Sequence, residues 1–77
     1  MTVTVYSTTW CPYCKMAKEF LNQHKVQFED INVEKDPAMA KAMIQKSGQQ
    51  GVPVIDVNGK IIIGFNKQAL KEALGLA

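Results

Sequence analysis

The sequence predicts an α/β fold in which a four-stranded mixed sheet is covered by helices on both faces. In four short segments the apolar residues alternate with polar ones or form a short run, as in strands, and in three other segments they recur every three or four residues, as in helices. The order of these segments is β-α-β-α-β-β-α. No linker, internal repeat or low-complexity segment interrupts them. A chain of 77 residues is long enough for one hydrophobic core, so we expect residues 1–77 to form a single domain.

The first three elements are predicted to form a βαβ unit. Residues 2–7 alternate valine with threonine and tyrosine, which is typical of a strand. An amphipathic helix is expected from Pro12 onward, because proline is compatible with a first helical turn. The residues expected on its buried face are Cys14, Ala17, Phe20 and Leu21. Residues 26–33 are expected to form a second strand, parallel to the first because a helix connects them.

The second helix is expected to lie between an N-cap at Asp36 and a stop signal at Gly48, with Pro37 as its first residue. Its buried stripe is expected to comprise Met39, Met43 and Ile44. Methionine is a flexible apolar side chain that fills gaps in a core, and we interpret Met16 on the first helix as core filler too.

An antiparallel hairpin and a third helix complete the predicted order. Residues 52–57 and 60–65 are short apolar strands separated by Asn-Gly, a dipeptide that favours a tight turn because both positions need a positive φ. The third helix is expected over residues 66–74, and the glycine after it is typical of a left-handed helix end.

Composition and charge argue against several classes of function. The nine basic residues are all lysines, and the formal net charge is only +2. Recognition of phosphates and guanine bases favours the bidentate guanidinium of arginine, so we do not expect nucleic-acid binding. The sequence shows neither a basic leader nor a long apolar run, so we expect a cytoplasmic protein that does not associate with membranes.

Two cysteines three positions apart, Cys11 and Cys14, lie where the first helix is predicted to begin. In a reducing cytoplasm such a pair is more often catalytic or metal-binding than structural. The first NH groups of a helix lack partners within it and carry partial positive charge, so they stabilise a thiolate at Cys11. We therefore expect Cys11 to ionise first and act as the nucleophile, and Cys14 to attack the mixed disulfide that forms.

Two other interpretations of the cysteines remain open at this point. A zinc or iron-sulfur site needs further ligands, and the chain has one imidazole, His24, farther along the same predicted helix. One chain does not complete such a site, so the alternative function is a binding module in which two subunits share an iron-sulfur cluster or a zinc ion. The other interpretation is a scaffold with inactive cysteines. Our first interpretation is a redox pair in a monomer that holds no metal or cofactor.

Three short motifs lie at the ends of predicted strands or helices. Cys-Pro-Tyr-Cys at positions 11–14 lies between a strand and a helix, Val52-Pro53 opens the third strand, and Gly64 ends the fourth. In these features the chain closely resembles glutaredoxins, whose fold is thioredoxin-like. The resemblance implies a small thiol-disulfide oxidoreductase that acts on disulfide-containing proteins or on glutathione mixed disulfides.

The resemblance also implies which residues meet the substrate. It implies a cis peptide bond before Pro53, in a loop beside the cysteines, where the backbone of Val52 pairs with an extended substrate segment. Pro12 belongs to the motif itself, and Tyr13 is expected on the exposed side of the first turn. Trp10, directly before Cys11, is similar to its counterpart in thioredoxins and offers an apolar surface to protein partners.

The chain departs from the glutaredoxin pattern in the residues that hold glutathione. Thr8 stands where many glutaredoxins have a lysine, and Gly64-Phe65 stands where they often have two glycines. The NH groups of Asn66 and Lys67 begin the last helix and offer a remaining site for a carboxylate, although Asn66 can equally be a cap and Lys67 a surface lysine.

Gly64-Phe65 is similar instead to the glutaredoxin-like redoxins that serve ribonucleotide reductase and are reduced by thioredoxin reductase. Both glutathione, as a co-substrate, and thioredoxin reductase therefore remain candidate electron donors.

Overall fold

The computed structural model describes residues 2–76, and its seven elements follow the predicted order. The strands are β1 (Val3–Ser7), β2 (Glu29–Asn32), β3 (Val54–Val57) and β4 (Lys60–Ile63). The helices are α1 (Pro12–Gln23), α2 (Pro37–Ser47) and α3 (Lys67–Leu74). The sheet has the order β2-β1-β3-β4, in which β1 and β2 are parallel and the other neighbouring pairs are antiparallel. The predicted four-stranded mixed sheet is confirmed.

The alternation of side chains along β1 divides the core between the two faces of the sheet. Val5 packs with Leu21 of α1 and Leu70 of α3 on one face. Tyr6 points to the other face, where it packs with Met43 of α2. Because successive side chains of a strand alternate between faces, a strand in the middle of the sheet needs helices on both sides. Helices do cover both faces, and no helix within residues 2–76 is long and apolar enough to cross a membrane.

Side-chain caps fix where the last two helices begin. The Oδ1 atom of Asp36 accepts the NH of Met39 at 3.2 Å, and the Oδ1 atom of Asn66 accepts the NH of Ala69 at 3.1 Å. These bonds satisfy backbone donors that have no partner within a helix. Each of these two helices ends at a glycine in the left-handed conformation, as the sequence predicts.

The second strand is shorter than predicted. The sequence predicts residues 26–33, whereas β2 covers only Glu29–Asn32. The chain turns sharply after α1: Lys25 has a φ of 57°, and the NH of Val26 donates to the carbonyl of Leu21 over 2.9 Å. An NH that closes the end of a helix is not available to a sheet, and the Val26 side chain instead packs against the core.

Both hairpin strands are also shorter than predicted. β3 begins at Val54 rather than at residue 52, and β4 ends at Ile63 rather than at residue 65. Pro53 has no NH to donate, although its carbonyl still accepts the NH of Gly64 at 2.8 Å. Gly64 has a φ of 75°, a conformation that glycine adopts readily, and the chain leaves the strand direction there.

Two residues that were predicted to be buried are exposed. Ile44 of α2 is 36% exposed and Met16 of α1 is 45% exposed, whereas Met43 is 2% exposed. Consecutive residues of a helix project about 100° apart, and in α2 Met43 takes the position that points into the sheet, which leaves Ile44 toward the solvent. Met16 lies two residues from the buried Cys14, a spacing that turns it away from the core.

Candidate active site

Cys11 occupies the N-cap position of α1. Its backbone is extended, with a φ of −116° and a ψ of 103°, and Pro12 begins the helix. The Sγ atom of Cys11 accepts a hydrogen bond from the NH of Cys14 at 3.2 Å. Sulfur thereby takes the place of the oxygen in an ordinary capping side chain. The amide end of the helix points at the atom that carries the negative charge of a thiolate.

Cys14 lies one turn deeper and is buried. Its exposed fraction is 1%, whereas Cys11 is half-buried. Burial, followed by the hydrogen bond with Cys11, raises the pKa of Cys14 to about 12. A backbone hydrogen bond from Thr8 and the charge of Lys18 lower the pKa of Cys14 but do not cancel the effect of burial. The Cys14 thiol is therefore protonated at neutral pH.

The loop before β3 brings Val52 to Cys11. The Cys11 thiol donates to the carbonyl oxygen of Val52 over an Sγ to O distance of 3.7 Å. The Val52-Pro53 peptide bond is cis, as the resemblance implies, and Pro53 is buried. Since the Pro53 carbonyl also accepts the NH of Gly64, this loop connects the end of the hairpin to the cysteine motif.

Two aromatic side chains project into solvent beside Cys11. Trp10 is 88% exposed and Tyr13 is 62% exposed. Trp10 and Cys11 share an open cleft of about 630 Å³, whose other lining residues are Thr8, Thr9, Pro12, Lys15 and Lys18. Aromatic side chains are enriched where proteins contact each other, so this surface is suited to a protein partner.

The loop that carries Trp10 is anchored to residues at the end of β2 and just beyond it. The NH of Thr9 donates to Oε1 of Glu34 at 2.8 Å, and the amide of Asn32 donates to the hydroxyl of Thr9 at 3.1 Å. These bonds fix the backbone of the loop while the indole ring remains in solvent. Trp10 is thus exposed on a well-anchored segment.

Phe65 and Lys67, which were predicted to belong to the substrate site, lie against Phe20, in the second half of α1. The rings of Phe20 and Phe65 have centroids 6.0 Å apart, and Nζ of Lys67 lies 5.9 Å from the centroid of the Phe20 ring. With Met16 they line a second groove, which also includes Glu19, Phe20 and Gln23. The side chain of Asn66 caps α3, so of its two predicted roles the structure shows the cap.

Sequence analysis did not identify a polar cluster beside Cys14. Lys18 Nζ lies 3.0 Å from Oδ2 of Asp30, and Oδ1 of Asp30 accepts the hydroxyl of Ser7 at 2.7 Å. The signal available in the sequence is the four-residue spacing of Cys14 and Lys18, which places both on one side of a helix. The contribution of Asp30 depends on strand pairing and has no local signal.

Within residues 2–76, no three His, Cys, Asp or Glu side chains are grouped so that they could hold a metal ion. Both cysteines are free thiols. A centre shared by two subunits would therefore have to take its remaining ligands from a second chain.

The glutaredoxin family model matches residues 3–62, a segment that contains both cysteines and the cis bond before Pro53. The chain belongs to the glutaredoxin family. Glutaredoxin-like proteins are in general thiol-disulfide oxidoreductases, and they use glutathione or thioredoxin-type reductants.

Relatives of similar length extend this likeness to nearly the whole chain. An uncharacterized glutaredoxin-like 8.6 kDa protein in the rubredoxin operon of Clostridium pasteurianum is 42% identical over 72 residues, which cover 94% of this chain and 96% of that protein. The glutaredoxin-like protein NrdH of Lactococcus lactis is 35% identical over 68 residues, which cover 88% of this chain and 93% of NrdH.

A solved structure shows the same fold. NrdH-redoxin from Escherichia coli, a glutaredoxin-like protein with a thioredoxin-like activity profile, superposes with a TM-score of 0.85 at 26% identity. The match covers 94% of this chain and 93% of that one. The predicted thioredoxin-like fold is thereby confirmed.

Proposed function

We propose that the protein is a dithiol oxidoreductase that reduces disulfides in other proteins. Cys11 attacks one sulfur of the substrate disulfide, so that a mixed disulfide with Cys11 forms and one substrate thiol leaves. Cys14 then attacks Sγ of Cys11, the second substrate thiol leaves, and an internal disulfide remains. The substrate gains two electrons and two protons, and the protein loses them.

The difference between the two thiols carries this proposal. Cys11 is reachable from solvent and accepts the NH of Cys14, whereas Cys14 is 1% exposed and burial raises its pKa to about 12. A buried, protonated thiol does not compete for substrate. It nevertheless lies one helical turn from the sulfur atom that it has to attack, so the two cysteines are suited to successive steps.

We infer that a substrate protein binds across the surface formed by Trp10, Tyr13 and Val52. The two aromatic side chains, which flank Cys11 in the sequence, supply exposed apolar area. The Val52 carbonyl lies 3.7 Å from the reactive sulfur, so an extended segment that carries the disulfide pairs with this backbone as a short strand would. Pro12 and Pro53 hold the two backbone segments that meet at this point.

We propose a flavoprotein of the thioredoxin reductase class as the electron donor. Two positions that glutaredoxins often use for glutathione carry other residues here, namely Thr8 and Phe65. The likeness to NrdH proteins, one of which has a thioredoxin-like activity profile, supports the same donor.

A comparison of the two donors tests the proposal. The oxidised protein is incubated with NADPH and thioredoxin reductase in one reaction, and with NADPH, glutathione and glutathione reductase in the other, and loss of the Cys11 to Cys14 disulfide is followed in both. We expect faster reduction by thioredoxin reductase. Faster reduction by glutathione would overturn the choice of donor, and Lys67 would then be the residue to examine for a contact with its carboxylate.

Two variants test the chemistry separately from the donor. Cys11→Ser should abolish reduction of a protein disulfide, whereas Cys14→Ser should stop at the mixed disulfide, which mass spectrometry detects as an adduct. A Cys11→Ser protein that still reduces disulfides would overturn the proposed function itself.

We further propose that the protein works in the cytoplasm as a metal-free monomer. Light scattering, absorbance and metal analysis of protein purified without oxygen test the last two points. A dimer that contains one iron-sulfur cluster or zinc ion, lost in Cys11→Ser, would favour the metal-binding module instead.

A further inference from the structure

We propose that Lys18, held in place by Asp30 and Ser7, speeds the second step of the reaction by stabilising negative charge on Cys14. The inference rests on the proposed function, because it concerns the attack of Cys14 on the mixed disulfide. In this scheme none of the three residues touches the substrate. They are positioning residues that act through Cys14.

Lys18 lies one turn after Cys14 on α1. Residues four apart on a helix are neighbours on the same side, so the lysine side chain extends from the turn beside the buried thiol. The Lys18 side chain is 28% exposed and lines the cleft that contains Cys11. Its ammonium group is therefore partly exposed at the cleft, on the side of α1 that carries the buried thiol.

Asp30 and Ser7 fix this ammonium group. Nζ of Lys18 lies 3.0 Å from one carboxylate oxygen of Asp30, and the other oxygen accepts the hydroxyl of Ser7 at 2.7 Å. Ser7 is 2% exposed and ends β1, directly before the loop that leads to Cys11. The parallel register sets Val5 opposite Asp30, so that Ser7 and Asp30 share the sheet face on which α1 packs.

The second step places negative charge on Cys14. The Cys14 proton passes to solvent, Sγ of Cys14 bonds to Sγ of Cys11, and the bond between Cys11 and the substrate breaks. The electron pair of that bond stays on the substrate sulfur, which takes up a proton from the water in the cleft. No other oxidant or reductant is needed.

Burial opposes this charge, and Lys18 favours it. The charge of Lys18 lowers the pKa of Cys14, in the direction opposite to desolvation. Loss of the lysine should therefore reduce the fraction of Cys14 that is ionised. Because the more basic thiolate is also the better nucleophile, a tenfold smaller fraction slows the attack only about three- to fourfold.

The test follows both steps with the neutral disulfide 4,4′-dithiodipyridine in a stopped-flow spectrophotometer. The first phase releases thiopyridone when Cys11 attacks, and the second phase releases it when Cys14 resolves the mixed disulfide. The readout is the ratio of the second rate constant to the first. A neutral reagent is chosen so that the charge of Lys18 does not act on the probe.

We expect Lys18→Met to lower this ratio by up to about three- to fourfold, the loss that a tenfold smaller ionised fraction of Cys14 produces. Lys18→Arg keeps the charge and should restore most of the ratio, and Asp30→Asn should lower it because the ammonium group is then free to move into solvent. Lys41→Met serves as the control. Lys41 is an exposed lysine of α2, on the opposite face of the sheet, and its loss changes the net charge equally.

The outcomes separate this inference from the proposed function. A wild-type ratio in Lys18→Met, an increased ratio in Asp30→Asn, or failure of Lys18→Arg to restore the ratio would overturn the inference. Absence of the first phase in the unmodified protein would instead overturn the proposed function. Urea unfolding of each variant establishes that the rates belong to folded protein.

Discussion

The sulfur of Cys11 lies 3.7 Å from the carbonyl oxygen of Val52, a residue 41 positions away in the sequence. This contact joins the start of α1 to the loop before β3, which the antiparallel pairing of β1 and β3 brings to the same end of the sheet. A disulfide that approaches Cys11 therefore meets a backbone edge at the same place. In the proposed function, chemical attack and recognition of an extended segment therefore share one site.

The buried thiol should resist alkylation. In a Cys11→Ser variant, Cys14 keeps the burial that is the main cause of its raised pKa, and its exposed fraction of 1% also limits access. We expect iodoacetamide at neutral pH to modify it at least about tenfold more slowly than it modifies Cys11 in a Cys14→Ser variant. Mass spectrometry of timed samples measures both rates. Equal rates would contradict the inequivalence of the two thiols.

The stability of the reduced protein should fall as the pH rises above 9.0, the value for an ordinary thiol. The pKa of Cys14 is about 12 in the folded protein, so the folded state binds this proton more tightly than the unfolded chain does. The resulting stability is complete below pH 9.0 and is lost as the pH rises toward 12. One such group lowers the free energy of unfolding by at most about 1.4 kcal/mol per pH unit in this window.

Urea unfolding of the reduced protein at about pH 8 and about pH 10 measures this loss. Cys14→Ser is the matched control, because serine does not titrate in this range. The pKa of Lys46 is also raised, by its hydrogen bonds to Tyr6 and Asp56, so its contribution to the stability of the protein is lost over an overlapping range of pH. That loss is the same in both proteins. The same pH dependence with and without Cys14 would contradict the prediction.

Asn66 should contribute to stability as a helix cap. Its side chain accepts the NH of Ala69 at 3.1 Å, so Asn66→Ala leaves a donor at the start of α3 without this partner. We expect a loss of about 1 kcal/mol in the free energy of unfolding, measured with urea, and a much smaller loss for Asn66→Ser, which can still cap. An alanine variant that unfolds like the original protein, yet reacts more slowly with glutathione, would indicate a ligand contact instead.

The features that depend on neighbouring residues could be predicted from the sequence. Asp36 and Gly48 bound the second helix because a cap and a left-handed glycine act within one turn. The N-cap position of Cys11 follows in the same way from the strand before it and Pro12 after it. These local signals were sufficient to place the cysteine motif at the start of α1, with Cys11 before Cys14 on the helix.

The features that depend on distant residues could not be predicted from local patterns. The late start of β2 follows from the hydrogen bond from Val26 to Leu21, and the cluster around Lys18 follows from the strand register that places Asp30 beside Ser7. The contact of Val52 with Cys11 was expected only from the family resemblance. In each case the contacting residue is determined by the packing of the whole sheet, so a short stretch of sequence does not predict it.

Trp10 should matter for protein substrates and not for folding. It is 88% exposed on an anchored loop, so Trp10→Ala removes little buried area and should change the free energy of unfolding by less than about 0.5 kcal/mol. An aromatic side chain at the centre of a contact surface is often worth about 1 to 2 kcal/mol, so kcat/KM for a protein disulfide should fall about five- to thirtyfold.

The small reagent 4,4′-dithiodipyridine provides the comparison, since it reaches Cys11 without covering the surrounding surface. Its first phase should be nearly unchanged in Trp10→Ala. Tyr13→Ala, which removes the other exposed aromatic side chain next to Cys11, should show the same selective loss. Equal loss with both substrates would mean that Trp10 acts on the reactivity of Cys11 itself, and the aromatic surface would then have no separate role in recognising proteins.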